Sequence, residues 1–354
     1  MKSSVRPHRT RVRRRRVRNR GKAPVRRGYV FSSGCPIFSF LIRPSEKEMS
    51  TPVLPPASSI DYADLGNRLK AYRIGASLQA EDVAEQLGVS RAVVYRMEKG
   101  EIVKIETLER LAQLLNTSLA SLLGVEVEYY SNALGLFERM RQLEQTSDRI
   151  LAHFEPISLL LTSDEYLTHL REMLLEASPK PQGKARQGEV EDMLTILAER
   201  RRFFEQRRMS IVSLIGMREL ERFVLTGLVG RVDLPHEVRM QRVRAARNEV
   251  VRIADLMESE PLNVQIGLID DAMPSSTFQL FSGNQRTVLA VSPFRLGELP
   301  NVRNGIATVT ASPEAVRLYE DMIGRLWKSA YKGRTGAQRL RRLLERVDAL
   351  TELP

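Results

Sequence analysis

The sequence predicts a fold of two domains: an all-α N-terminal domain of five short helices and an α/β (α+β) C-terminal domain with about five strands, joined by a helical connector. Apolar residues recur at helical spacing throughout residues 61–124 and again over 125–177. From residue 189 onward, helical patterns alternate with short apolar runs bounded by Gly, Pro, Asn and Asp. A chain of 354 residues accommodates two domains and a tail.

The basic excess of the chain lies in its first 48 residues. These hold 15 Lys and Arg against two acidic residues, whereas residues 49–354 hold 40 basic and 41 acidic residues. A Pro-rich stretch follows, so residues 1–60 are predicted to be a disordered basic tail. Three interpretations of the tail remain open: an arm that binds nucleic-acid phosphates, a targeting segment, or an untranslated leader over 1–48 with Met49 as the first residue.

Within residues 61–124, a tight turn joins two short helical segments, 80–87 and 91–98. Ala84 is small where the two helices must cross closely, and Gly88 lies where the turn requires a positive φ. Ser90 occupies the N-cap position of the second helix. Four residues further on, Val94 faces the first helix. This spacing is typical of a helix-turn-helix, in which the second helix can lie in the major groove of DNA.

Three further helices complete this domain, predicted over 65–73, 107–115 and 118–123. The five segments resemble the Cro/CI-type (XRE) DNA-binding domain of phage repressors and bacterial regulators. The matching residues are Leu65, Leu69, Arg73, Leu78, Ala84, Leu87, Gly88, Val89, Ser90, Val94, Glu98, Gly100, Leu108, Leu111, Ala112 and Leu122.

The resemblance implies that the second helix of the motif contacts the bases of double-stranded DNA. Arg91 can bind a guanine through two hydrogen bonds, and Ala92 can contact a thymine methyl group. Lys99 and Lys104 are expected at phosphates. The alternative is that these side chains form an ordinary solvated surface. The full predicted set is Gln79, Ser90, Arg91, Ala92, Tyr95, Arg96, Lys99 and Lys104.

The sequence departs from the family pattern at the start of the first helix of the motif. The family often has Thr-Gln there, whereas this chain has Gln79 and Ala80. Gln is a poor N-cap, and Ala80 cannot make the polar contact of the family's Gln. Specificity is therefore expected to depend on the recognition helix.

The helical connector, 125–177, is predicted to begin with a long helix over 132–153. Its apolar residues Leu136, Met140, Leu143 and Ile150 fall at heptad spacing. They can form a dimer seam or pack against the next helix of the same chain. A linker rich in Pro, Gly and Lys follows at 178–188.

The C-terminal domain is predicted over 189–332, followed by an amphipathic helix in 333–354. Its helices are expected at 189–208, 219–227, 235–257 and 313–331, and its strands at 211–215, 264–269, 278–281, 288–291 and 306–309. The order of elements is similar to that of ligand-sensing half-domains built on a phospholipase-D-like sheet. The His-x-Lys-x4-Asp signature that catalysis needs in that family is absent from the sequence.

The residue types of the chain do not point to an enzyme, a metal or a cofactor. Cys35 is the only cysteine, the four histidines are widely spaced, and the common nucleotide-binding and hydrolase motifs are absent. Three arginines near strands, Arg286, Arg295 and Arg303, can bind an anionic effector or remain solvated. Asp270 and Asp271 can bind a cation, but such acids more often form turns.

Together these observations predict a cytoplasmic, prokaryotic, nucleoid-associated transcriptional regulator that binds a pseudo-palindromic operator as a homodimer. Its C-terminal region would sense a small-molecule effector or carry the dimer contact. Two alternatives remain: an antitoxin- or immunity-type repressor whose C-terminal region binds a partner protein, and an enzyme fused to a DNA-binding domain. No apolar run approaches the length of a membrane span.

Overall fold

The computed structural model describes residues 61–101, 104–125, 127–177, 184–207, 209–283 and 286–351. The predicted tail over 1–60 and the first part of the predicted linker, 178–183, lie outside the described residues.

Five short helices form the N-terminal domain, and their apolar faces meet in one core. Leu69, Val83, Leu111 and Leu122 come from four of the helices and are almost fully buried. The helices are α1 (Tyr62–Gly75), α2 (Ala80–Leu87), α3 (Arg91–Glu98), α4 (Ile105–Leu114) and α5 (Leu119–Leu123). This arrangement confirms the predicted all-α domain.

The remaining described residues build a mixed sheet of seven strands with helices packed against it. The strand order is β1-β7-β6-β5-β2-β3-β4; β2, β3 and β4 are parallel, and the other neighbours are antiparallel. The strands are β1 (Val127–Tyr130), β2 (Arg149–His153), β3 (Ser210–Gly216), β4 (Val264–Ile269), β5 (Thr277–Ser282), β6 (Thr287–Ser292) and β7 (Ala307–Thr310). The helices are α6 (Ala133–Gln145), α7 (Glu165–Glu176), α8 (Lys184–Arg207), α9 (Met217–Thr226), α10 (His236–Ser259), α11 (Pro313–Ser329) and α12 (Gly333–Thr351), with a 3-10 turn at Leu159–Leu161. The predicted combination of helices and sheet is confirmed, with seven strands instead of about five.

Two of the seven strands lie where the sequence predicts a helical connector. The long helix predicted over 132–153 is wrong beyond Gln145, because the chain turns at Ser147 and enters β2. The Ser147 hydroxyl donates to the carbonyl of Leu143 at 2.7 Å, and the Asp148 N–H donates to the carbonyl of Ser282 at 2.9 Å. Residues 150–153 are buried in the middle of the sheet, where an apolar strand and an apolar helix have the same composition.

Of the two interpretations of the heptad-spaced residues, a dimer seam or packing within the chain, the structure agrees with packing. Leu136, Met140 and Leu143 are buried within the chain itself, and Ile150 belongs to a central strand. The packing interpretation therefore applies to these four residues. At the predicted linker, α8 begins at Lys184, so residues 184–188 are helical.

The helical domain is joined to the sheet domain by close packing of α1 on α6. A Cβ built on Gly135 would lie 3.1 Å from the carbonyl oxygen of Ala71 and 3.1 Å from the Cα of Gly75. The Asn132 amide caps α6 and donates to the carbonyl of Gly75 at 2.8 Å. Beside this crossing, the rings of Tyr72 and Tyr130 stack with centroids 4.8 Å apart. The five-helix domain is therefore anchored to the sheet through α1.

Within the described part of the chain, we find no helix with the length and apolar character that crossing a bilayer requires.

Candidate nucleic-acid interface

The turn between α2 and α3 has the geometry of a helix-turn-helix. Gly88 has φ +69° and ψ 36°, a left-handed conformation that a side chain would disfavour. Ala84 and Val94 are 5% and 0% exposed and lie in the core. The Val89 N–H donates to the carbonyl of Ala84 at 2.9 Å. These contacts fix the direction in which α3 leaves the turn.

One face of α3 is exposed to solvent along its whole length. Val94 and Met97 point into the core. The opposite side, which we call the recognition face, consists of Arg91, Ala92, Tyr95, Arg96 and Lys99, all exposed. The predicted base-reading side chains are therefore accessible to a duplex.

The other predicted contact residues are exposed but occupy different places. Gln79 is the N-cap residue of α2, two residues before Glu81, whose carboxylate contacts Arg91. Ser90 directly precedes α3. Lys104 precedes α4. Residues 102–103, which precede it in the sequence, lie outside the described part of the chain.

The predicted capping role of Ser90 is not observed. Ser90 has the extended backbone of an N-cap residue, but its side chain makes no capping hydrogen bond. Its hydroxyl is exposed, which leaves it available to a phosphate oxygen. At the start of α2, a residue inside the helix supplies a capping contact: the Asp82 carboxylate accepts a hydrogen bond from the backbone N–H of Gln79 at 2.6 Å.

Arg91 is held by two neighbours on the protein surface. A terminal nitrogen of its guanidinium lies 2.7 Å from Oε1 of Glu81, and the group donates to the Tyr95 hydroxyl at 2.9 and 3.2 Å. The hydrogen bond to Tyr95 and the nearby Glu81 carboxylate raise the pKa of Arg91 above its usual value. Arg91 thus stays charged and lies across the start of the recognition face.

The positive charge of the recognition face is only partly neutralised. Arg96 lies 3.4 Å from the Glu101 carboxylate. Lys99 and Lys104 form no ion pair with any residue that the structure describes. Exposed lysines beside a helix that can enter the major groove are suited to phosphate contacts.

A buried ion pair sets the position of α3. Nε of Arg73, on α1, lies 2.5 Å from Oε1 of Glu98, at the end of α3. A second guanidinium nitrogen of Arg73 donates to the carbonyl of Leu78 at 2.8 Å. Since α1 packs on the sheet domain, this pair links the recognition helix to the rest of the chain.

A second buried network, which sequence reasoning missed, links α1 to the sheet. The Asp64 carboxylate lies 2.6 Å from Arg68 and 2.8 Å from Arg139, and it also contacts Arg286. Arg139 in turn binds Glu128 through two hydrogen bonds of 2.9 Å. Burial alone would raise the pKa of the Asp64 carboxyl, but Arg139, Arg68 and Arg286 together lower it well below its usual range.

The three arginines that could bind an anionic effector or remain solvated contact three different carboxylates. Arg295 lies 3.9 Å from the Glu155 carboxylate and Arg303 lies 3.3 Å from that of Glu189. Arg286 instead contacts the buried carboxylate of Asp64 on α1. Asp270 pairs with an arginine of α12. Among the residues that the structure describes, no group of three His, Cys, Asp or Glu side chains could hold a metal ion.

Glu81 is the other contact that sequence reasoning missed. The sequence feature that could have pointed to it is an acidic residue in the first turn of α2. Such a residue is ordinarily explained by its favourable interaction with the helix dipole. Only the crossing of α2 and α3 brings it to Arg91.

Comparison with known families agrees with this geometry. A family model described as a helix-turn-helix domain matches residues 64–123. The chain matches no curated protein. Residues 64–123 therefore form a helix-turn-helix domain, which indicates a DNA-binding regulator.

Proposed function

We propose that this chain is a sequence-specific transcriptional regulator of the Cro/CI type, and not an enzyme. In this proposal it binds a pseudo-palindromic operator as a homodimer and acts on the prokaryotic nucleoid. Its sheet domain adjusts operator affinity in response to an effector.

The observation that carries the proposal is the recognition face of α3. An eight-residue helix presents Arg91 at its exposed N-terminal end, where helices of this motif meet base edges. Tyr95, Arg96 and Lys99 extend the same surface along the helix. This combination of one arginine that can read guanine and flanking cations suits a major groove.

The short length of the recognition helix α3 favours a dimer. Eight residues of helix span about 12 Å, which covers only a few base pairs. Regulators with this motif reach useful specificity by reading two half-sites one helical turn apart, about 10 base pairs or a multiple of that. We therefore expect a protected site with two-fold symmetry.

The proposal is tested by selecting fragments of sheared genomic DNA on the full-length protein at low salt and sequencing what is retained. The expected result is a small set of fragments that share a two-fold symmetric sequence. Arg91→Ala should weaken binding to the selected site by about 5- to 150-fold and relax the preference at one base position of each half-site.

Arg325→Ala is the matched control, because Arg325 is exposed on α11, far along the chain from the motif. It removes the same charge and should leave both affinity and sequence preference unchanged. Retention of all fragments alike, or equal losses in the two variants, would contradict the proposal.

A further inference from the structure

A cavity of about 360 Å³ opens where the helical domain meets the sheet domain. Its wall comes from the start of α1, from α6 and the turn after it, from the end of α8, and from the described part of the β5–β6 hairpin. This volume lies at the lower end of the range for small-molecule sites.

A buried acceptor without a partner lies in this wall. Gln142 lines the cavity and is only 4% exposed. Its amide nitrogen donates to Glu138 at 3.0 Å, but its amide oxygen accepts no hydrogen bond from any described residue. A buried carbonyl oxygen left in this state is costly, and a donor on a bound molecule would remove the cost.

The charges of the wall balance. Its acidic residues are Asp61, Asp64 and Asp148, and its basic residues are Arg139, Arg207 and Arg286. An overall neutral lining disfavours a ligand with a large net charge of either sign, such as a polyphosphate.

Three of the charged groups, Asp61, Asp148 and Arg207, have no oppositely charged partner among the described residues. The Asp61 carboxylate accepts a hydrogen bond only from the backbone N–H of Asp64, at 3.1 Å. Arg207 donates only to the backbone carbonyl of Gln145, at 2.6 Å. The Asp148 side chain forms no ion pair or hydrogen bond that the described residues supply. Arg286 is 46% exposed and contacts a single carboxylate, that of Asp64. The cavity can therefore receive both an anionic and a cationic group.

Apolar side chains separate these charged groups. Leu143, Phe281 and Val288 contribute to the wall, so the cavity also has a surface for an aliphatic or aromatic part.

We propose that this cavity binds a small zwitterion of the α-amino-acid type and that its occupancy regulates DNA binding; the regulatory part rests on the proposed function above. The carboxylate of the ligand pairs with Arg207 and Arg286. Its ammonium group donates to Asp148 and to the amide oxygen of Gln142.

The cavity is connected to the DNA-binding motif through Asp64. This carboxylate holds Arg286 of the hairpin and Arg68 of α1, and Arg68 donates to the carbonyls of Leu122 and Leu123 at 2.8 and 2.7 Å. A ligand carboxylate that draws Arg286 away from Asp64 changes the contact between the sheet and α1.

The next link is the buried pair of Arg73 on α1 with Glu98 on α3. The contact between the sheet and α1 can therefore have two arrangements, with and without the Arg286–Asp64 pair. An effector that binds one arrangement more tightly than the other shifts operator affinity.

The binding test uses the full-length protein without DNA and the standard free L-amino acids, each added singly. We expect at least one to raise the Tm by about 2 °C or more at saturation, with one site per chain by calorimetry. Its N-acetyl derivative, which lacks the cation, and its carboxamide, which lacks the anion, should not raise the Tm.

Two exposed residues of the wall are changed in parallel. Asp148→Asn and Arg207→Gln should each weaken amino-acid binding by about ten-fold or more, since each removes one charge partner. Asp321→Asn and Arg325→Gln make the same exchanges on the exposed face of α11 and should bind as the unchanged protein does.

The proposed site is refuted if no amino acid raises the Tm or if both wall variants bind the amino acid normally. It is also refuted if the N-acetyl derivative or inorganic phosphate stabilises the protein as much as the amino acid does, because that result would indicate a simple anion site. None of these results depends on DNA binding. The regulatory part is then tested with a selected DNA fragment, whose Kd should change about five-fold or more with the amino acid present; an unchanged Kd refutes it.

Discussion

The guanidinium of Arg91 lies 2.7 Å from the carboxylate of Glu81, and both side chains are more than half exposed. The pair joins the first turn of α2 to the first turn of α3, at the end of the recognition face that would enter a groove. Because solvent-exposed pairs contribute little to stability, the contact matters for what Arg91 can bind. Under the proposed function, a base or a phosphate that binds through this terminal nitrogen must compete with Glu81 for it.

Replacing this carboxylate should strengthen DNA binding and reduce its selectivity. In Glu81→Gln, Arg91 loses its anionic partner and the surface loses a charge that repels phosphates. We expect a lower Kd for selected and shuffled fragments, a smaller ratio between them, and a salt dependence steeper by about one unit of slope. Fluorescence anisotropy titrations across a range of salt concentrations measure all three.

Glu85→Gln provides the control, because Glu85 is exposed one turn further along α2 and forms no ion pair with a described residue. It removes the same charge without freeing Arg91, so its effect should be smaller. If the two variants behave alike, general charge repulsion explains the result and the specific pair does not.

The buried pair of Arg73 and Glu98 should behave differently, because neither charge can be solvated when its partner is lost. Glu98→Gln leaves the Arg73 guanidinium buried beside a neutral amide. We expect the free energy of unfolding to fall by about 3–5 kcal/mol, measured by urea denaturation. Glu258→Gln, which breaks an exposed pair with Arg341 at 2.7 Å, should leave stability nearly unchanged. Equal effects of the two substitutions would contradict the burial argument.

The helices of the DNA-binding domain could be predicted from sequence because their signals are local. Leu69 follows Leu65 by one turn, and Gly88 marks a turn that needs a positive φ. The exposure of Arg91 and Tyr95 follows from the same periodicity, since Val94 must face the core. Each of these inferences needs only residues a few positions apart.

The remaining features depend on contacts between distant residues. Ile150 fits a heptad and a buried strand equally well, and the choice is made by pairing with β3 and β5. Asp64 and Arg286 are 222 residues apart, and only the packing of α1 against the sheet brings them together. The cavity between the domains has the same origin, so no local pattern could reveal it.

The crossing of α1 and α6 offers a test of how closely the two domains are packed. A Cβ at Gly135 would approach the backbone of α1 to 3.1 Å, and backbone atoms of a packed helix cannot move cheaply. Gly135→Ala should therefore lower the free energy of unfolding by about 1–3 kcal/mol, although alanine is the better helix former.

Gly324→Ala serves as the control, since Gly324 lies inside α11 with no atom near the position of the added Cβ. This change should stabilise the protein by up to about 1 kcal/mol. Changes of opposite sign in the free energy of unfolding, measured by urea denaturation, would establish the tight crossing. A stabilising effect at both positions would show that a methyl group fits between α1 and α6.

Stability should also depend on pH through His153, at the end of β2. Its ring is buried, and its Nδ1 lies 3.2 Å from the carbonyl of Leu214. Burial lowers the pKa of His153 below its usual 6.5 and outweighs that hydrogen bond and the Glu155 carboxylate, which act in the opposite direction. The unfolded chain therefore binds a proton that the folded chain does not, so this contribution to stability is complete above about pH 6.5 and is lost as the pH falls below it.

His169 contributes to the pH dependence of stability in the same direction, because burial lowers its pKa as well. Urea denaturation between pH 7.5 and about 5 should show a loss of stability that is smaller in His153→Gln and smaller still in the double variant with His169→Gln. An unchanged slope in the double variant would assign the acid sensitivity to the carboxylates.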